Sequence, residues 1–283
     1  MKKVFKIVLA MIAFSLALSL SATAAPGGRI RVGGSLSMLG WVRKIAANYM
    51  KDHPRVEVSV YRHVPGDDGV KRLIAGDLDI AMASREISAG EKELAKAKGL
   101  KLDEHVIGYG AVVVIVDKQN PVSELSVEQL RKLMTGKIVN WKEVGGRDQA
   151  VRVFNIDEKS HSGTSYFIQN GVLGGKPVVA GAVTLPQFPE IVKKVGETSG
   201  AMACVRMRDP FPGVKTTTKI LKIKKDEGSP SVSPSRETIS DGTYPFRRPY
   251  YLYTVVPANK EVQGFVGFVE TRGWVQPPSP SVW

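Results

Sequence analysis

A continuous apolar run, Val112 to Val116, lies in a chain that elsewhere alternates short strand-like and helix-like segments. A run of that kind suits a strand covered on both faces. The alternation around it confines the chain to an α/β architecture. Arg29 to Val32 reads as a strand that stops at Gly33-Gly34. Met38, Trp41, Val42, Ile45 and Tyr49 then recur at helical spacing, with Arg43, Lys44 and Lys51 on the opposite face. Arg55 to Tyr61 alternates as a strand, Val70 to Ala75 reads as a helix, and Leu78 to Ala83 as a buried strand. Ser88 with Glu91, and Ser126 with Gln129, have the three-residue spacing of a capping box, so each opens a helix. Val151 to Asn155 and Ala201 to Val205 are further strands, with a helix beginning at Ser162 between them. A basic, polar stretch from Lys215 to Ser235 precedes a last strand, Tyr250 to Val256. The pattern gives two successive α/β units and a return segment, and leaves their arrangement open.

Met1 to Ala24 has the form of a secretory signal. Lys2, Lys3 and Lys6 start it, Ile7 to Leu20 is apolar except for Ser15 and Ser19, and Ala22-Thr23-Ala24 is an A-x-A site, placing cleavage near Ala24-Ala25. The apolar run is shorter than the ~20 residues of a spanning helix. A periplasmic protein is therefore expected. Removing three lysines from a formal charge of +13 leaves +10 on the mature chain. That balance attracts anions, although a diffuse solvated surface accounts for it equally well. Export and the lack of any nucleic-acid-binding motif argue against a nucleic-acid partner. With 43% apolar residues the chain can bury a core, and its one cysteine, Cys204, supplies neither an internal disulfide nor a multi-cysteine metal site.

Enzyme signatures are mostly missing. His53, His63, His105 and His161 show no metal-ligand spacing, no G-x-S-x-G elbow occurs, and no metal or cofactor is expected. Small hydroxyl clusters between strand and helix do recur: Gly34-Ser35-Leu36-Ser37, and Ser162-Gly163-Thr164. A helix start offers unpaired N–H groups and the positive end of its dipole, so added hydroxyls make it a receptor for an oxyanion. Each cluster taken alone is also an ordinary N-cap. Ala83-Ser84-Arg85 ends a buried strand with a hydroxyl and a guanidinium, whose planar fork matches two oxygens of a tetrahedral anion. Three such elements in one exported basic chain point to anion binding.

The stretch NPVSELSVEQLRKLMTGKIVNWKEVGG (Asn120 to Gly146), SGTSYF from Ser162, and SPSRETISDGTYPFRRPYYLYT (Ser233 to Thr254) follow one another in an order that resembles a known family. That family is the phosphate-binding, substrate-binding proteins of ABC importers, within the type II periplasmic binding fold. The likeness runs from about Ile30 to Thr254. It implies two α/β domains joined by hinge strands, with the ligand in an interdomain cleft. Residues 25–112 with 208–283 would form domain I and 113–207 domain II, with Val112 to Val116 pairing with Tyr250 to Val256 across the hinge. By position the family's ligand-binding motifs fall on Ser35, Leu36 and Ser37, on Gly66 to Gly69, on Ser84 and Arg85, and on Ser162, Gly163 and Thr164. The implied ligand is inorganic phosphate or a similar oxyanion, passed by a monomeric, non-enzymatic receptor to an ABC-importer permease.

Four residues, in three of the motifs, depart from the family pattern. Leu36 stands where relatives usually carry Thr, leaving only its backbone N–H as a donor. The second loop carries Asp67 and Asp68. These are either acceptors for a proton on the ligand or solvated residues capping the next helix. Glu158 occupies the place of an arginine four residues before Ser162, which makes Arg85 the expected main cation of the cleft. An alternative within the same fold is a solitary periplasmic ligand-binding or sensor protein with altered specificity.

Overall fold

The computed structural model describes residues 27–61, 68–157, 163–207, 217–272 and 274–275. Residues 1–24, read above as an export signal, and the proline-rich end beyond 275 lie outside the described residues. The first half runs β1 (Gly28–Gly34), α1 (Leu39–Asp52), β2 (Val56–Val60), α2 (Gly69–Ala75), β3 (Ile80–Ala83) and α3 (Ala89–Ala97) into the long β4 (Lys101–Asp117). There follow β5 (Glu124–Ser126), α4 (Val127–Met134), β6 (Arg152–Ile156), α5 (Gly163–Phe167), β7 (Val183–Leu185), α6 (Phe188–Glu197) and β8 (Ala201–Arg206). The chain closes with β9 (Thr218–Ile220), β10 (Lys222–Lys224), α7 (Arg236–Ser240), β11 (Arg247–Val256), α8 (Lys260–Glu270) and β12 (Trp274–Val275). No helix among the described residues is long and apolar enough to cross a membrane.

The strands form a path β2-β1-β3-β11-β4-β8-β6-β7, with β9 and β12 also on β4. β4 has 17 residues, about 55 Å at the usual rise per residue, and so it serves two halves. Lys101 to Ala111 pairs with β11, whereas Val112 to Val116 pairs with β8 and Ile115 to Asp117 with β9. The hinge pairing expected from the sequence is therefore corrected. Val112 to Val116 faces Met202 to Arg206, while Tyr250 to Val256 pairs with the Lys101–Gly108 part of β4 and with β3. The apolar run is buried because strands flank it on both edges and helices cover it.

Separate cores accompany the two halves. Ile30, Val32, Val42, Ile80, Leu252 and Phe265 belong to one; Val112 to Val116, Leu133, Trp141, Ile191 and Ala203 belong to another. The second core also takes Leu221, Ile223, Ile239, Tyr244 and Phe246, residues that the expected division at 207 assigned to the first domain. β9 follows the C-terminal end of β4, and the Val112 N–H donates to the Phe246 carbonyl (3.1 Å). Packing thus keeps the return segment with the second half until Phe246.

Candidate functional site

Backbone packing at the ends of β1 and β3 builds one wall of the site. Gly34 has φ +128°, and a Cβ there would overlap the Met82 carbonyl. A Cβ on Gly69 would lie 2.8 Å from the Gly34 Cα and 3.1 Å from the Gly33 carbonyl. The start of α2 can approach the strand ends only because both positions lack side chains. Gly34 also lets the chain turn so that the Ser35 N–H donates to the Met82 carbonyl (2.8 Å). The Ser35 hydroxyl then donates to the Ser84 hydroxyl (3.0 Å), and both residues are buried. Ser35 and Ser84, 49 residues apart, thereby meet. Leu36 turns its side chain outward, 53% exposed, and Ser37 lies below it on the way into α1.

A cation that reaches Ser37, in the same turn as Ser35, is Arg248, which the sequence reading did not single out. It is fully buried, and its Nη2 donates to Ser37 Oγ (3.5 Å) and Tyr250 Oη (3.4 Å). Nε and Nη1 have no hydrogen-bond partner among the described residues. Arg248 pairs with Gly110 in the register of β4 and β11, at the edge of the crossing between the halves. Gly110 makes room there: the Tyr250 ring occupies the space a Cβ would take. A signal for Arg248 did exist. In Tyr244-Pro-Phe-Arg-Arg-Pro-Tyr-Tyr an arginine pair interrupts an aromatic strand, and a buried charge on such a strand needs hydrogen-bonding or charged partners.

Arg85 is committed elsewhere. Its Nη1 and Nη2 donate to the two carboxylate oxygens of Glu91 (2.7 and 2.8 Å), and Nη1 also donates to the Glu86 carbonyl (2.9 Å). The expectation that Arg85 supplies the main charge of the cleft is thus met by a fork already neutralised by a buried carboxylate. Burial pushes the Glu91 carboxyl up, but hydrogen bonds from Arg85 and from the Ser88 N–H and hydroxyl outweigh it and hold it below the usual glutamate range. A folded-state pKa that is depressed gives stability above the unfolded value, lost as pH falls through the folded one. Glu91→Gln should therefore lower the pH 7 stability by about 1.5 kcal/mol, one charged hydrogen bond. It should also flatten the decline in melting temperature below about pH 4.3, as scanning calorimetry across pH 3–7 reads.

The second hydroxyl cluster lies at the start of α5, whose Tyr166 ring approaches Arg85 of the first half. Gly163 and Thr164 are buried at its start, and Thr164 Oγ1 is a buried hydroxyl without a hydrogen-bond partner among the described residues. The helix passes at Ile168–Val172 into a single π turn, a widening often found beside functional sites. Ser162, Gly66 and Asp67 lie outside the described residues, as does Glu158. Asp68 precedes α2 but makes no side-chain cap hydrogen bond; its half-exposed carboxylate pairs with Lys71 (3.5 Å). Elsewhere, burial pushes the Cys204 thiol up to about 12, so it is inert as a nucleophile at neutral pH. No group of three His, Cys, Asp or Glu suited to a metal occurs among the described residues.

Comparisons with known proteins bear on the family and the fold. The phosphate-binding protein PstS of Staphylococcus aureus (strain USA300) is 29% identical over 259 residues, covering 87% of this chain and 75% of the relative. An ABC-type phosphate transport receptor from Vibrio cholerae superposes with a TM-score of 0.69 at 25% identity, over 86% of this chain and 93% of that one. PstS from Borrelia burgdorferi gives 0.62 at 21% identity, over 85% and 92%, a likeness of fold alone. The two-core, single-path architecture is that of the two-domain type II periplasmic binding fold. A PBP superfamily domain matches residues 21–271, and the chain belongs to that superfamily.

Proposed function

We propose that this protein is an exported solute-binding protein that captures inorganic phosphate between its two halves and delivers it to the permease of an ABC importer. It acts as a monomer and without catalysis. In this reading Met1 to Ala24 is the export signal, and the halves divide near Ala111 and Phe246, following the cores. The observation that carries the proposal is Arg248: a fully buried guanidinium with two nitrogens lacking hydrogen-bond partners among the described residues. Burying a charge without a counter-ion costs several kcal/mol, roughly the order found for isolated ions in proteins, and the position therefore favours an anion beside Nε and Nη1. Ser35, Ser37, Ser84, Gly163 and Thr164 supply the neutral donors around it, and phosphate-named relatives support the choice of anion. Ser162 joins them by the resemblance of its motif. Leu36 contributes its backbone, and the loop holding Gly66, Asp67 and Asp68 borders the site.

A panel of oxyanions on refolded, phosphate-stripped protein tests this. Phosphate should raise the melting temperature more than sulfate or nitrate, and at 100 times its dissociation constant should add about 2.7 kcal/mol. A panel in which another solute stabilises the protein and phosphate does not would reject the assignment.

A further inference from the structure

Arg85 raises a question that ligand capture leaves unanswered. Its guanidinium, 12% exposed, is matched by a carboxylate that is 3% exposed, yet it projects to the boundary between the halves. The loop that carries it is pinned from several sides. Glu91 is held by the Ser88 N–H and hydroxyl (both 2.8 Å). The Ile87 N–H donates to Tyr253 Oη (3.2 Å), and that hydroxyl donates to Glu104 (2.7 Å). The guanidinium therefore has little freedom to leave its place. Opposite it stands Tyr166, on α5 in the other half, two residues beyond Thr164. The Arg85 Cζ lies 5.5 Å from the centroid of that ring, which is 44% exposed. This is within cation–π range.

We infer that Glu91, Arg85 and Tyr166 form an interdomain latch that favours the closed arrangement and slows release of the bound anion. The inference rests on the proposed capture of phosphate for its kinetic part only. Glu91 fixes and neutralises the guanidinium. The Arg85–Glu91 pair therefore adds no net charge near the anion, and the guanidinium carbon stays within reach of the ring. Arg85 and Tyr166 act as positioning residues: they bring Thr164 towards Ser35, Ser84 and Arg248 through closure. A cation–π contact at a partly exposed site accounts for a population shift of about 2–5-fold. That is enough to bias closure and weak enough to let a partner pull the halves apart.

The test has two readouts on full-length mature protein. Spin labels at Lys96→Cys on α3 and Lys193→Cys on α6, both exposed, report the separation of the halves without ligand; Cys204 is too buried to take a label. Tyr166→Ala should move the distance distribution towards the open form, and Tyr166→Phe should restore it. With phosphate, stopped-flow measurement should show dissociation about 2–5-fold faster in Tyr166→Ala, association no slower than in wild type, and Tyr166→Phe close to wild type. An unchanged distribution in Tyr166→Ala would overturn the latch whether or not phosphate binds. An unaltered dissociation rate, or an equal loss in Tyr166→Phe, would overturn it as well. Failure of wild type to bind phosphate would reject the proposed ligand and leave the distance measurement to decide the latch.

Discussion

Arg248→Met should abolish high-affinity phosphate binding while leaving the ligand-free protein as stable as before, or more so. The two effects have one origin. Nε and Nη1 of Arg248 are buried without hydrogen-bond partners among the described residues, so the ligand-free protein bears the cost of a desolvated cation that a bound anion offsets. Each hydrogen bond from a charged donor contributes about 1.5–3 kcal/mol, and two lost together weaken binding by about 100-fold or more. Met keeps apolar volume beside Tyr250 and removes the charge. Arg248→Lys should recover part of the affinity, because a point charge cannot reproduce the fork. Calorimetric titration and thermal melts of the same preparations give both quantities. Arg85→Ala provides the contrast: it should cost less affinity than Arg248→Met, since its fork already binds Glu91.

A second large effect is expected at Gly34. Any Cβ there overlaps the Met82 carbonyl, and φ +128° is a conformation that side chains rarely adopt. Gly34→Val should destabilise the fold by about 3 kcal/mol or more, adding strained backbone to overpacking. The corresponding fall in melting temperature is about 6–12 °C for a protein of this size. Gly69→Ala meets the Gly34 Cα at 2.8 Å and should push α2 away from the strand ends. It should lower phosphate affinity more than its smaller loss of stability suggests, because Ser35 and Ser84 lose their common frame. Parallel melts and titrations separate the two contributions.

Elements set by neighbours in sequence were legible. Ser88 with Glu91 and Ser126 with Gln129 close both reciprocal bonds of their capping boxes, because those bonds span three residues and need no tertiary partner. The first half of β4 was not legible. Lys101, Asp103 and Glu104 are exposed there and show no strand-like apolar alternation, and the strand exists because β11 pairs with it. Lys222 to Lys224 is similar, a basic triplet made into a strand by β5 and by the Lys224–Glu124 ion pair (2.7 Å). At the site, the hydroxyl clusters could be found from strand-to-helix junctions. Which guanidinium serves them could not. Arg85 sits beside Ser84 in sequence but binds Glu91, whereas Arg248 reaches Ser37 across 211 residues through the register of β11.

Locating the anion itself tests the account most directly. Arsenate has the tetrahedral shape and charge of phosphate, and its anomalous scattering marks its position in a crystal of the phosphate-stripped protein. One strong peak is expected between the halves, with oxygens accepting from Arg248 Nε and Nη1 and from Thr164 Oγ1, at about 2.7–2.9 Å for the charged contacts. A peak bound elsewhere, with Arg248 still buried and unpaired, would contradict it.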